Sequence, residues 1–410
     1  MTVSNFSLLD GLLVAFSIVI SAVMLQPKVR DATFWRATVT PLASIIGSGF
    51  LVVVPLLAGL TGTLSFLAIM GIVLLSFWVG AAIRYNILHD GRTSMATSDP
   101  VAKPLERLSD FALALAYVIS ITFYIRLLCG FVLSGIHAYT TFNADILATL
   151  ILAFIGIYGW RRGLHGLERL EQYSVTIKLA IIASLLAGLA YYDLDKGYDL
   201  TGLPSAQSGL WETLRQLGGM LLIVQGFETS KYLDSTYSAN LRSRSMFLAQ
   251  VVAGLIYVAF VALAMPLMAP FAQLSPSETA IIDLSGNITL VLPIMLVVAA
   301  AMSQFSAAIA DTIGAGGVVE QETHQRVSAQ NCYPLIITLA IALIWSSNIF
   351  EVVALASRAF AFYYMLQAVL AARLAFKLTE GQRRTRLVSV YIGLTLVLLV
   401  IVLFAKPVAG

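Results

Sequence analysis

Long apolar stretches alternate with short polar connectors from one end of the chain to the other. The stretches cover 8–25, 34–58, 63–83, 108–136, 145–160, 170–190, 211–235, 245–270, 287–318, 333–347, 350–375 and 387–405. An α-helix needs ~20 apolar residues to cross ~30 Å of hydrocarbon at ~1.5 Å per residue. The alternating ~10-residue segments of a membrane-spanning barrel are absent. The pattern therefore predicts an all-α membrane protein with about twelve transmembrane helices.

Two of these stretches are interrupted near their middle by small or polar residues. One interruption is Ser44-Ile45-Ile46-Gly47-Ser48-Gly49, and the other is Gln225-Gly226-Phe227-Glu228. A break at that depth frees backbone N–H and C=O groups that lipid cannot satisfy, so they must face protein or a watery cavity. Paired breaks at matching places in two halves of a chain point to a midplane solute site. Small residues also serve simply to let helices pack closely.

Composition and charge then fix the class and the orientation. The chain of 410 residues is 59% hydrophobic and 11% charged, with mean hydropathy +0.87. Soluble domains carry about a quarter charged residues. If the connector after the first helix lies in the cytoplasm, nearly all Lys and Arg fall in inside connectors. Only Lys196 and Lys406 fall outside, while Arg126, Lys178, Arg215 and Arg358 lie within spans. That asymmetry is the positive-inside pattern, and it places both termini outside. Residues 1–7 hold no Lys or Arg and no A-x-A site follows, so 8–25 reads as a retained span rather than a cleaved signal.

The predicted order is an extra N-terminal helix (1–30), two sets of five (31–195 and 205–378) and an extra C-terminal helix (379–410). Each set opens on a broken helix, and an odd count makes the two sets cross in opposite senses, which is an inverted repeat. There is no basic stripe for nucleic acid, no nucleophile–base set, no phosphate loop and no Cys/His metal spacing, so neither an enzyme nor a cofactor is expected. Cys129 and Cys332 are not expected to form a disulfide. His89, His137, His165 and His324 fall in or near loops and are read as solvated.

Three segments carry a family resemblance. SIIGSGFLVVVPLLAG (44–59) resembles the first core helix of the amino acid–polyamine–organocation (APC) superfamily. GGMLLIVQGFETSKYLDSTYSANLRSR (218–244) resembles its sixth helix. GWRRGLHGLERLEQYSVTIKLAIIASLLAG (159–188) resembles its fourth-to-fifth helix region, including an intramembrane lysine. The resemblance implies the LeuT-type fold of five plus five helices and a secondary transporter working by alternating access. It also implies a substrate α-carboxylate at the first break and an α-amine at the second. The extra N-terminal helix, the missing twelfth core-numbered helix, Thr229-Ser230-Lys231 after Gly-Phe-Glu, and Arg126 in the third core helix mark a divergent branch.

The residues supply the chemistry. At the first break, Ser44, Ile46, Gly47, Ser48 and Gly49 would present backbone N–H groups, a partial positive charge and hydroxyls to a carboxylate. At the second, carbonyls before Gly226 would receive an ammonium, with Gln225 and Phe227 closing over the solute. Glu228 is an intramembrane carboxylate, either a proton carrier or an anchor for the unwound segment. By rise counting, Ser303 and Ser306 reach the depth of Lys178. Relatives coupled to sodium hold the ion in this region, and a lysine resembles the proton-coupled or sodium-independent branch; snorkelling to the interface is the alternative. Asp311 is expected at an inner gate or a helix-end ion pair. Arg126 and Arg358 count to the outer half, where they would line a vestibule, pair with an acid, or attract an anion. Tyr124, Tyr363 and Tyr364 are aromatic gate candidates. Three cations (Arg126, Lys178, Arg358) against two acids (Glu228, Asp311) leave an anionic substrate open.

The expected function is transport of a small solute, an amino acid or related zwitterion or anion, coupled to a proton or run as exchange without sodium. Its partners are that substrate, a proton and the bilayer, which the compact chain suggests is a bacterial inner membrane. An inorganic-ion or organic-anion transporter of the same superfamily, or a transport-inactive sensor on this scaffold, are the alternatives.

Overall fold

The computed structural model describes residues 6–47, 49–89, 101–135, 138–204, 209–270, 282, 285–346 and 349–406. Helix α1 (Leu8–Met24) starts behind a capping box in which Ser7 and Asp10 satisfy each other's backbone N–H groups. The single turn α2 (Pro27–Arg30) leads into α3 (Thr33–Ile45), α4 (Gly49–Leu60), α5 (Ser65–His89) and α6 (Ala102–Gly135). Then come α7 (Thr141–Lys196), α8 (Leu210–Gly219) and α9 (Ala239–Ala264). The chain ends with α10 (Leu292–Glu322), α11 (Ala329–Ser346), α12 (Ile349–Leu378) and α13 (Gly381–Phe404). No strand occurs among the described residues.

Eight helices among the described residues are long and apolar enough to cross a membrane alone, and the bent pair α3–α4 makes a ninth. This differs from the expected twelve for three physical reasons. Helix α1 has 17 residues, a little short for a full span. Helix α8 keeps α-geometry for ten residues and then tightens into a 3-10 turn over Met220–Val224. The stretches expected as separate helices at 145–160 and 170–190 are two helical limbs with no loop between them, so α7 runs for 56 residues across a break at Gly163. A straight helix of that length would measure about 84 Å, far more than a bilayer. Gly163, at φ +62° and ψ −163°, divides it into two limbs. That conformation is essentially closed to residues with a Cβ.

Helix α10 sits at the centre and packs against α3, α6, α7 and α11. Its run of Ala299, Ala300, Ala307, Ala308, Ala310 and Ala315 is buried. Small side chains of this kind let backbones approach where lipid offers no hydrophobic drive. Helix α13 rests on α12 at the periphery and leaves Leu396, Val400, Leu403 and Phe404 exposed. Helix α1 leans on α7 and exposes Leu8, Leu12, Ile18 and Val19. Leaving such side chains in water forgoes about 1.5–3 kcal/mol each, so these faces call for an apolar solvent.

Candidate functional site

The two interrupted segments meet. Helix α3 stops at Ile46, whose ψ of +61° is not helical, and α4 leaves at 41° to it. Opposite, Gly226 adopts φ +111°, between the 3-10 turns Met220–Val224 and Phe227–Tyr232. A Cβ on Gly226 would lie 2.2 Å from Ser44 Oγ, and one on Gly49 would lie 2.7 Å from Ile223 Cα. Both glycines are therefore required by close approach, and Gly226 also by its backbone angle. The second region is less regular than a helix with one break: α-geometry does not resume between Gly219 and Tyr232. Tyr257 of α9 joins the two, its hydroxyl lying 3.1 Å from Ile45 O and 2.8 Å from Ile223 O.

The carbonyls of the first break are held by α7 and α10. Lys178 Nζ donates to Ala43 O at 2.8 Å, to Ile46 O at 2.6 Å and to Ser306 Oγ at 2.9 Å. Ser303 Oγ donates to Ile46 O at 2.6 Å and also lies 3.1 Å from Gly47 O. Ser306 Oγ in turn donates to Ser303 O at 3.1 Å, which leaves its lone pairs for the lysine. An ammonium has three N–H donors and a neutral amine two, so three acceptors match the charged form. Lys178 is fully buried between the break and α10, and does not snorkel.

Two acids flank the junction. Asp311 accepts from Ser44 Oγ at 2.9 Å through one oxygen and from Ser120 Oγ through the other. It is fully buried, so the expected helix-end ion pair is corrected to a hydroxyl-bridged carboxyl tying α3, α6 and α10 together. Ser44 spends its proton on Asp311 rather than standing free as a donor. Glu228 Oε2 accepts from Gly226 N at 3.0 Å and from the Tyr364 hydroxyl at 2.7 Å. Its Oε1 is buried with no hydrogen-bond partner among the described residues. Phe227 stacks on Tyr364, with ring centroids 5.4 Å apart at 14°. Gln225 Nε2 lies 3.3 Å from the Tyr124 hydroxyl, and the Tyr124 ring lies 3.7 Å from where a Cβ on Gly47 would stand. The Tyr363 hydroxyl is engaged instead by Tyr232 at 3.2 Å. Ser48 lies outside the described residues, as does His137.

The arginines are not gathered here. Arg126 pairs with Asp145 at 3.2 Å and donates to Ile344 O at 2.6 Å, which is the acid-paired option among those expected. Arg358 is exposed. The expected surplus of buried cations is reversed. Among the described residues, Asp10, Asp110, Asp145, Glu168, Glu171, Glu228 and Asp311 are buried, against Lys178, Lys231 and Arg242. The charge argument for an anionic substrate falls with it. Cys129 and Cys332 are both free and buried.

Several residues were missed from sequence. Lys231, expected in an inside connector, is buried and stands 3.2 Å from Glu106 and 3.6 Å from Asp110. Glu168 receives Arg36 at 2.6 Å and the Tyr237 hydroxyl at 2.6 Å, and His165, expected in a loop, lies in α7 beside them. Glu171 accepts from Thr40 at 2.7 Å deep in the protein. The signal that was available is periodicity: 168, 171 and 178 share a helix face once the residues after Gly163 are read as helix. A cavity of about 160 Å³ opens beside this end, lined in part by Leu164, Tyr232, Ile313, Gly317 and Tyr333.

Comparison with known proteins completes the site's context. Residues 27–405 match a family described as APC superfamily transporter. A protein of Aquifex aeolicus (strain VF5), described as uncharacterized, is 44% identical over 389 residues, covering 94% of each chain. A match over nearly the whole chain, on a membrane-embedded helical fold with two interrupted segments in contact, settles the affiliation: this chain belongs to the APC superfamily transporters, an integral membrane protein family that moves small molecules.

Proposed function

We propose that this transporter carries a small zwitterionic solute, an amino acid or close relative, without sodium, and that it couples transport to protonation of Lys178 or runs as an exchanger. The observation that carries this reading is the three-acceptor cradle of Lys178: two carbonyls of the first break and Ser306. An ammonium there does what a bound metal cation would do for the freed carbonyls. If it gives up its proton, one acceptor loses its donor, so the protonation state and the geometry of the break are linked.

In this reading the solute sits where the two segments touch. Its carboxylate faces the small-residue turn at Gly47–Gly49 and its ammonium faces the carbonyls before Gly226. Gln225, Phe227 and Tyr124 bound the space, and Glu228 either anchors the second segment or takes a proton. The rest of the reading is a five-plus-five inverted repeat over 31–195 and 205–378, flanked by 1–30 and 379–410. Its Arg36–Glu168 end faces the cytoplasm of a bacterial inner membrane, and both termini lie outside. The Lys/Arg asymmetry and the paired breaks support this arrangement.

The test is uptake of a mixture of the ¹⁴C-labelled proteinogenic L-amino acids into proteoliposomes, with inward proton and sodium gradients imposed separately. Accumulation with the proton gradient, indifference to sodium and loss in Lys178→Ala are expected. Strict sodium dependence that survives Lys178→Ala would overturn the reading.

A further inference from the structure

We propose that Glu171 is a proton-exchange station between Lys178 and the surface, with Glu168 and His165 as the outer steps of a ladder along the second limb of α7. The transport arm rests on the proton-coupled reading above; the placement of the ladder does not.

Positions 168, 171 and 178 lie within about 80° of one another around the helix, and His165 stands at the edge of that stripe, 2.8 Å from Arg36. That face meets α2 and α3 through polar contacts along its length. Gln172 Nε2 donates to Arg30 O at 3.1 Å, Arg36 reaches Glu168 at 2.6 Å, Thr40 donates to Glu171 at 2.7 Å, and Lys178 holds Ala43 O and Ile46 O. The line starts at the side chain of His165, 71% exposed, and ends at an ammonium that is wholly buried.

Glu171 is the step whose chemistry is otherwise unexplained. It is 0% exposed, one carboxylate oxygen has Thr40, and the other has no hydrogen-bond partner among the described residues. Desolvation penalises an unpaired carboxylate oxygen, and the penalty is relieved when that oxygen takes up a proton. An ionisable group at this depth is better explained as one that changes protonation. Lys178 lies two turns farther along the same face, about 10 Å by axial rise, and side chains on a helix lean toward its N-terminus, so the lysine leans toward Glu171.

The transfer balances simply. An N–H bond breaks at Lys178 Nζ and an O–H bond forms at the open Glu171 oxygen, giving a neutral amine and a neutral acid. That O–H then breaks as the proton passes outward by Glu168 to water. The other ionisable groups within electrostatic reach of Glu171 are Asp311 of α10, Tyr333 of α11, and Tyr237, which binds Glu168. Arg36 of α3 faces it through Glu168.

Two measurements on the full-length reconstituted protein test the station. Infrared difference spectra between acid and alkaline buffer need no substrate. A buried carboxyl band should titrate in the wild type, vanish in Glu171→Gln, and shift its midpoint in Lys178→Met. Glu171→Gln keeps an oxygen for Thr40, and Glu171→Asp should restore the band. Absence of such a band, or a midpoint indifferent to Lys178→Met, would overturn the proposal. In the second measurement, Glu171→Gln should cut proton-driven accumulation of the labelled amino-acid mixture about tenfold or more, the scale of losing a positioned proton carrier, while counterflow of the same mixture persists. Full accumulation in Glu171→Gln overturns the station and leaves the transport reading standing. Counterflow without proton-driven accumulation in the wild type overturns the coupling itself.

Discussion

The two interrupted segments solve one problem in different ways. At the first, two good helices flank a short gap, and the freed carbonyls are met from outside by Lys178, Ser303 and Tyr257. At the second, the chain stays irregular from Met220 to Tyr232 and adds ties of its own to those from Tyr257, Tyr364 and α6. Glu228 folds back onto Gly226 N, and Thr229 Oγ1 donates to Gly226 O at 2.8 Å. A gap held by other helices responds when those helices move or titrate. In the proposed reading, ion coupling falls to the first region and solute closure to the second.

The largest effect is expected from Lys178→Ala. It strands the buried Ala43 carbonyl at about 1–3 kcal/mol, takes one of two donors from Ile46 O and removes a buried charge that nothing else replaces, read as a large fall in melting temperature in detergent together with loss of uptake. Lys178→Arg should not rescue uptake, since a planar fork does not fit three convergent acceptors. Gly226→Ala comes next. Its backbone angle alone costs a side chain about 1–3 kcal/mol, and the added methyl meets Ser44, so binding of labelled amino acids should disappear while the protein remains folded. Glu228→Ala should cost about 1–3 kcal/mol by leaving Gly226 N and the Tyr364 hydroxyl unpaired. Combined with Lys178→Ala, it should be additive within about 0.5 kcal/mol if the two regions are held independently. A larger coupling energy would break the comparison. The smallest effect belongs to Ser303→Ala, about 1 kcal/mol, because Lys178 still serves Ile46 O. A loss as large as that of Lys178→Ala would show that the hydroxyl, not the ammonium, holds the gap.

What the sequence disclosed follows from what one dimension can carry. Small residues and an acid inside apolar runs gave the breaks at 44–49 and 225–228, and counting rise gave Lys178 its level beside Ser303 and Ser306. Rise gives height and no azimuth, so Asp311 was placed near a helix end when it in fact turns inward onto Ser44. Arg161, Arg162, Gly163 and His165 together read as a loop, whereas the chain breaks only at Gly163 and the second limb of α7 starts early enough to carry Glu168 and Glu171 on a shared face. Lys231 and Asp110 lie at the polar margins of apolar windows, where charge normally means water. Only the packing of α6 against the turn after Gly226 shows that they are enclosed. A span is likewise hidden where it is irregular, as at α8, or where two limbs abut at one residue, as in α7 at Gly163.

The hydroxyl of Tyr257 has one hydrogen and two carbonyls within reach, one on each interrupted segment. It is a clasp with a single hook. Were either segment to slide, the hook would be left within reach of the other eye, so one fastening would remain. Replacing that ring by phenylalanine would leave the shape intact and remove the catch, turning a stepwise motion into a slack one.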